Sequence, residues 1–581
     1  MISVLRKIKM SSKQIWAVVI FVIISTFGQL LAPSMVSTMI SDGVNNSDYG
    51  LIYGLAITIA VIAVLAFFSS MIANFIASKI TTKFCAELRR EFFHKVQTFS
   101  SAEIDKFGTS SLITRSTTDV TTIQNFLSQF FKLGIMGPMM AIFGVVMSVA
   151  YSGNVAVVMA VAIPVLIIIM VALLVGASRY STKLRNMIDK INELFLEAIE
   201  GVRVIRAFNK QQHEIDRFDV TNEESSIASR RSIALSCAMY PVATTIAGIT
   251  SVAAAAVGTP YVIMGTIDTS ALIAVIQYIS IVLIAAILTL TVLSLYPDAN
   301  ACFKRINEVL ETETTITDSE KPMPAKTCKG TVEFRKVTFS YPNAEEPVIK
   351  DISFVSKPGE TTAIIGRTGC GKSSVVKLIP RLYDTTFGEV LIDGVNVKDY
   401  KLDELRDAIG YVPQKNVLFT GDIAENLNWG NENGTEEDWK EACRIACADE
   451  FVEKKKGDYH AEVSQGGTNF SGGQRQRLAI ARAVMKKPEV YIFDDSFSAL
   501  DMKTDKKLRQ NLNDSMGDAT MIVVAQRVNT IMDATRILVL DNGEVVGMGT
   551  HLELLKNCKL YREIADIQLG EEEVKRELES I

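Results

Sequence analysis

Charge is missing from long stretches of this 581-residue sequence. No lysine or arginine occurs between Gln14 and Ser78, no charge of either sign between Leu133 and Ser178, and only Asp268 between Ser232 and Pro297. Buried helices of a large soluble protein do not explain runs this long that recur this often, so the first half belongs in a membrane. Histidine is scarce: His94, His213, His460 and His551 are the full set of four. The eight cysteines contain no CxxC pair. Cys443 and Cys447, four apart with no second Cys/His pair nearby, read as helix packing rather than metal binding, and disulfides are not expected in a reducing cytosol. Repeats and low-complexity tracts are absent. The net charge of -5 argues against a nucleic-acid partner, whose footprint would be basic.

The apolar runs divide into spans of the roughly 20 residues that a helix needs to cross a bilayer. Ile15–Ile40 and Leu51–Ser78 give one each, parted by the polar turn 41–50. Leu133–Ser178 breaks at Tyr151-Ser152-Gly153-Asn154 and Ser232–Pro297 at Gly265-Thr266-Ile267-Asp268, giving four more. The three short turns carry no lysine or arginine. Arg6, Lys7, Lys9 and Lys13 precede the first span, and the connections 79–132 and 179–231 are rich in both residues. Positive loops stay inside. The expectation is a multi-pass protein of the cytoplasmic membrane, surrounded by lipid, with both termini and all that follows the sixth span in the cytoplasm. The N-terminal run is too long for a signal peptide and lacks a small-residue cleavage site, so it reads as retained.

The two inner connections have helical periodicity, as in 86–93 and 191–199. About 25 residues of helix reach about 40 Å, so the spans should continue well beyond the bilayer and turn back. Asp105-Lys106-Phe107-Gly108-Thr109 predicts the first reversal and Asn209-Lys210-Gln211-Gln212 the second. A helix end and then a linker follow, through Thr312-Glu313-Thr314-Thr315 and Pro322-Met323-Pro324. The expected organisation is a six-helix membrane domain over 1–297, a linker over 298–329 and an α/β P-loop nucleotide-binding domain over 330–581.

In that last part Gly366-Arg367-Thr368-Gly369-Cys370-Gly371-Lys372-Ser373 fits the phosphate-binding loop in full, after the strand-like Thr361–Ile365 and before a helix opening at Ser374. Glycines let backbone N–H groups close on phosphates, Lys372 neutralises the β/γ oxygens and Ser373 can ligate Mg²⁺. The buried-strand run Val490–Phe493 ends in Asp494-Asp495, which places Asp494 to hold Mg²⁺ directly or through water. Between them, Ser471-Gly472-Gly473-Gln474 opens a helix with backbone donors facing outward, a second anion site.

Together these motifs, with six spans ahead of them, resemble the ABC transporter family, and the fused order resembles its exporters. The resemblance covers nearly the whole chain and is most specific over Gly330 to about Leu555. It implies that Tyr341 stacks on adenine, that Gln414 contacts Mg²⁺ and senses the membrane domain, and that Asp501 lies in a loop reaching the other cassette. It further implies that the connection tips act as coupling helices. ATP sites would form between one chain's P-loop and the signature, 471–474, of another, so such a chain must pair.

Two positions depart from the family pattern. Asp495 stands where a glutamate polarises the attacking water; it is one methylene shorter, which sets the carboxylate back by over an ångström and costs about 10²-fold. Gln526 stands where a histidine meets the γ-phosphate, and it cannot take up a proton near neutral pH. Gln465 replaces a glutamate common in exporters. The signature is intact. The pattern resembles one partner of a heterodimeric exporter, paired with a different half-transporter that has Glu and His at the altered positions. The expected activity is ATP-driven export, and spans with polar but uncharged Gln29, Asn74, Gln277 and Tyr278 favour small lipophilic or amphiphilic cargo. The alternatives are a homodimeric lipid flippase or peptide exporter, or a regulatory ABC subunit with little transport. A separate importer cassette or a soluble DNA-handling ABC protein would not be fused to six spans.

Overall fold

The structure, a computed structural model, describes residues 12–319, 321–323, 329–342 and 344–579. Arg6, Lys7, Lys9, Pro324 and Cys328 lie outside them. The chain forms two compact units, Met1–Gln97 with Ser110–Thr312, and Thr98–Thr109 with Glu313–Ile581.

Six helices of the first unit are long and apolar enough to cross a membrane: Ser12–Val44, Tyr49–Gln97, Thr109–Tyr151, Gly153–Glu200, Gln211–Ile263 and Thr269–Glu311. The fifth has 53 residues, about 80 Å at 1.5 Å per residue, against a hydrocarbon core of about 30 Å. Ser152, extended at φ -161°, breaks the chain between the third and fourth helices and accepts a bond from Val155 N. The second reversal includes Asn209 and Lys210 of the predicted segment but begins earlier, at Gly201. Gly201 ends the fourth helix, Val202–Ala207 makes one short turn, and Asn209 at φ +52° redirects the chain, so Gln211 and Gln212 already lie in the fifth helix. The sixth helix passes through Pro297 and ends at Glu311, as membrane-type helices tolerate proline where neighbours satisfy the freed carbonyl.

Few polar bonds join these helices, so close approach matters more. A Cβ on Gly137 would collide with Thr289 and the Ala285 carbonyl, and one on Gly144 with Val282, so the third and sixth helices meet across glycine. The buried Tyr278 donates to the Leu30 carbonyl at 2.9 Å, and Tyr151 donates to Ser34 Oγ at 2.7 Å. Tyr278, one of the uncharged polar groups in the spans, thus joins two helices. One ion pair is anchored in a buried place: Asp119, 3% exposed, accepts from Arg305 Nε at 2.8 Å and from its Nη2.

The second unit is the α/β cassette. A six-stranded sheet runs Glu544–Gly549, Arg536–Asp541, Thr361–Gly366, Thr520–Val524, Val490–Asp494, Ile409–Val412, parallel except for the first pair. Its central strands are buried on both faces, hence their continuous apolar runs. An antiparallel sheet is built from Ile349–Ser356, Val332–Phe339, Phe387–Ile392 and Val395–Asn396. The first reversal belongs to this unit, and it is a helix, Ser101–Phe107, closed by Gly108 at φ +75°. The seven described cysteines are free, and all but Cys237 are buried.

The Asp119 pair gives a direct comparison. Arg305 and Arg185 are both at least half exposed, but Arg185 faces an exposed Asp298 while Arg305 faces the buried Asp119. Arg305→Ala leaves a buried carboxylate unpaired and should cost about 3 kcal/mol, whereas Arg185→Ala should cost less than about 1 kcal/mol. Thermal unfolding of the two variants in detergent checks this: the midpoint should fall well below wild type for the first and barely move for the second.

Candidate nucleotide site

Parallel register brings the site together. Val524 pairs with Ile364 on one side and with Asp494 on the other, so three strands end on one edge of the sheet. Ligands bind at the carboxyl ends of such strands. The first strand leads into the loop 366–373, the second into Ala525-Gln526 and the third into Asp494-Asp495.

The loop turns through Gly369 at φ +85° and Gly371 at φ +99°, a region where a side chain would be strained. Lys372, the first residue of the helix Lys372–Leu378, folds back so that its Nζ donates to the Gly366 and Arg367 carbonyls at 2.8 and 2.9 Å. Gly366, Thr368 and Cys370 complete the loop, and burial pushes the Cys370 thiol up. Ser373 Oγ donates to Asp494 Oδ1 at 2.8 Å, and Tyr411 donates to Oδ2 at 3.4 Å. Burial raises the Asp494 carboxyl above the usual aspartate range, against the pull of Ser373 and Lys377.

Asp495 is arranged differently. Its backbone is left-handed at φ +54°, and its Oδ2 accepts from two amides, Gln414 Nε2 at 3.2 Å and Gln526 Nε2 at 2.9 Å. Burial raises this carboxyl too, opposed by Gln414, by the Lys372 charge and by Gln526. The positions that depart from the family pattern therefore touch each other. Tyr341 is present at the edge of the site, its hydroxyl 3.0 Å from Ser374 Oγ and its ring edge-on to Phe339 and Tyr383.

The structure thus joins Lys372, Ser373, Asp494, Asp495, Gln414 and Gln526, with Tyr341 and Ser374 beside them. It does not join Ser471, Gly472, Gly473, Gln474 or Asp501 to them: among the described residues no hydrogen bond links these to the P-loop. Ser471 caps the helix Gly472–Met485, accepting from Gln474 N at 3.3 Å while Gln474 Oε1 accepts from Ser471 N at 3.0 Å. Asp501 caps the helix Met502–Met516 through Thr504 N at 3.1 Å. Both face solvent. Gln465 sits in a short turn of its own with Gly466 left-handed.

Sequence reasoning missed the seat of the first reversal. Glu103, 3% exposed, accepts from Ser100 N, Ser100 Oγ and Thr315 N at 2.7, 2.6 and 3.1 Å. Burial pushes its carboxyl up, and these donors more than reverse the shift. Two residues on, Asp105 accepts from the Tyr383 hydroxyl at 2.5 Å. Tyr383 packs at 5.2 Å from Tyr341. No local motif announces such a contact, although the helix pattern S-x-x-E at 100–103 was readable.

A P-loop, an acid-tipped strand beside it and a helix-capping Ser-Gly-Gly on one α/β unit, fused to six membrane helices, define a membrane-bound nucleotide-driven machine. The chain belongs to the ABC transporter family. Residues 15–287 match the ABC transporter transmembrane region and residues 349–498 the ABC transporter cassette. An uncharacterised ABC transporter ATP-binding protein of Mycobacterium tuberculosis is 36% identical over 94% of each chain. An ATP-dependent lipid A-core flippase of Alkalilimnicola ehrlichii is 30% identical over 83% of this chain and 82% of its own. A probable multidrug resistance ABC transporter protein of Bacillus subtilis is 28% identical over 82% and 81%. The fold is that of a bacterial Atm1-family ABC exporter with ATP bound, with a TM-score of 0.76 over 97% of this chain and 98% of that one at 21% identity.

The Asp105 contact can be tested without turnover. Tyr383→Phe keeps the ring and removes the donor, and the lost bond to a charged acceptor should speed amide exchange in 101–108 by about tenfold or more. Exchange in the P-loop helix should not change. Hydrogen–deuterium exchange of the two proteins reads both.

Proposed function

We propose that this chain is one half of a heterodimeric exporter that moves lipophilic or amphiphilic compounds out across the cytoplasmic membrane, and that its own ATP site binds well but hydrolyses slowly. The observation that carries the reading is the double amide contact on Asp495 Oδ2. A carboxylate that must polarise water needs a free lone pair aimed at it. Here the side chain is short and one oxygen is occupied by two donors, and Gln526 offers no imidazole to share a proton. Binding does not depend on these groups. Lys372, the loop amides and the hydroxyl of Ser373 supply the charge and donors that phosphates need.

Mg²⁺ fits the donor set. Ser373 Oγ and Asp494 Oδ1 are hard oxygen ligands 2.8 Å apart, with Gln414 near by. Among the described residues no group of three His, Cys, Asp or Glu could hold a metal alone, which suits an ion that takes one or two carboxylates and leaves the rest to phosphate and water. Asp494 holds it only when ionised. Because burial raises that carboxyl, the ionised fraction is lost at a higher pH than for an aspartate near 4. The Mg²⁺-dependent part of ATP affinity should therefore fall as pH is lowered from neutrality, and Asp494→Asn should flatten the profile. Titration with a fluorescent ATP analogue, with and without Mg²⁺, measures this.

Pairing is supported by an exposed apolar tip on the second reversal, where Val204 is 61% and Phe208 73% exposed. Tips of this kind dock on cassettes in the family. The intact signature, Ser471 to Gln474, would complete the site of a partner carrying Glu and His. The cargo reading rests on the charge-free apolar stretches of the membrane helices and on an apolar cavity of about 430 Å³ between the first two, lined by Gly28, Gln29, Met35 and Phe67 among others. The lysine- and arginine-rich inner connections support a cassette on the cytoplasmic side, by the positive-inside rule.

The two sites separate by mutation. Gly473→Glu puts bulk and negative charge where the signature meets the partner-held γ-phosphate; loss of one such donor costs about 10²–10³ in rate, so steady-state ATPase and vesicle transport should vanish. Asp495→Ala, at the slow site, should leave most of both. The measurement is ATPase and transport for each variant paired with wild-type partner. Complete loss in both would make Asp495 a working base and the reading wrong.

A further inference from the structure

One buried side chain ties the signature helix to the strand end that forms this chain's own site. Gln476, 4% exposed, lies one helical turn past Gly472. Its Nε2 donates to the Asp495 carbonyl at 3.2 Å and its Oε1 accepts from Ala499 N at 3.2 Å. The same carbonyl accepts from Ser498 Oγ at 2.9 Å. From the opposite side Arg527, next to Gln526, donates to the Ser498 and Leu500 carbonyls at 3.1 and 3.2 Å. The turn 495–500 is thus held between the residue after Gln526 and the helix that begins at Ser471. It also packs there directly, since a Cβ on Gly473 would lie 3.1 Å from the Ala499 carbonyl.

We propose that Gln476 is a positioning residue that passes the state of this chain's own nucleotide site to its signature. Asp495 is a non-glycine residue held left-handed, a conformation that persists only while its surroundings enforce it. Whatever rearranges the Asp495 side chain when nucleotide engages Lys372, Ser373 and Gln414 also moves a strained peptide, and Gln476 grips that peptide's carbonyl. A glutamine suits the task because it needs one donor and one acceptor on a single buried amide, and the two partners lie on one turn. The inference requires nucleotide binding at the P-loop and is independent of how fast the bound nucleotide is hydrolysed.

The test uses the full-length chain in lipid nanodiscs at one copy per disc, so that no second signature can reach the nucleotide, and follows amide exchange with and without Mg-ATP. In the wild type, exchange at 471–478 should slow by about tenfold on Mg-ATP addition. Gln476→Ala should bind Mg-ATP with nearly unchanged Kd and show the usual slowing at the P-loop, while 471–478 no longer respond. Gln476→Glu keeps the shape and the acceptor for Ala499 N but sets an acceptor against the Asp495 carbonyl, and should lose the response too. An undiminished response in either variant, or a wild-type signature indifferent to Mg-ATP while the P-loop responds, overturns the proposal. So does loss of Mg-ATP binding in both variants, which would make Gln476 a folding residue. Slow hydrolysis is read separately, from ATPase, and either result can fail alone.

Discussion

Two neighbouring carboxylates at the end of one buried strand must be kept in place, and much of the cassette follows from how that is done. Asp494 is 2% and Asp495 8% exposed. Burying a carboxylate costs several kcal/mol unless donors replace the lost water. The donors come from elsewhere in the chain: Ser373 from the P-loop helix, Tyr411 from an edge strand and Gln414 from just beyond it, and Gln526 from beyond the middle strand. Satisfying two acids therefore gathers three donor segments onto one strand end, drawn from across residues 373–526. Both carboxyls remain raised by burial despite those donors.

The two acids differ because the strand ends between them. Asp494 continues the strand and faces the P-loop. Asp495 leaves it with φ +54°, its N–H donating to the Val524 carbonyl at 3.0 Å. A left-handed non-glycine residue costs of order 1–3 kcal/mol, and the bonds on both of its backbone polar groups, with those on its side chain, hold it there. The shorter aspartate matters in this setting for a reason beyond reach. With both glutamine amides converging on one oxygen, the side chain is also fixed in direction.

Much of this was legible in the sequence where the signal is local. Charge-free runs reveal membrane helices because one lysine in 20 apolar residues would be costly, and the break near Ser152 is visible because the charge-free run 133–178 is more than twice the roughly 20 residues that one crossing needs. The P-loop is legible because its glycines are demanded by φ, and Asp494 because an apolar run ends on it. The departures at Asp495 and Gln526 could be read, but not that they touch; that depends on parallel register. The role of Tyr278 was left open by the sequence, since an uncharged polar group in a membrane helix suits cargo and helix pairing equally, and its partner, the Leu30 carbonyl, decides. The second reversal begins before the polar run 209–212, at the helix end Gly201, because the short helix Val202–Ala207 carries no turn residues to announce it; the left-handed Asn209 lies within the predicted segment. Gln476 left almost no trace, since a glutamine among arginines reads as a wet face.

The arrangement also bears on how the P-loop site and the signature of one cassette can affect each other. A cassette whose acid, switch residue and signature were joined only through a close-packed core would transmit strain diffusely. Here the links are discrete. Asp495 is bonded through its side chain to Gln526 and through its carbonyl to Gln476, and Arg527 and Gln476 hold opposite sides of the same six-residue turn. Each bond is neutral or singly charged and individually worth about 1 kcal/mol, small enough to be exchanged when phosphate arrives and large enough, in sum, to bias which geometry the signature adopts. Along the other branch, Tyr341 leans on Tyr383, which donates to Asp105 in the segment Thr98–Thr109. That segment is covalently continuous at both ends with the second and third membrane helices. Both branches start within a few residues of the P-loop and end on elements whose role lies elsewhere. Retaining the binding groups while losing the catalytic ones would leave both branches intact, and this gives a physical reason for such a site to keep its P-loop whole.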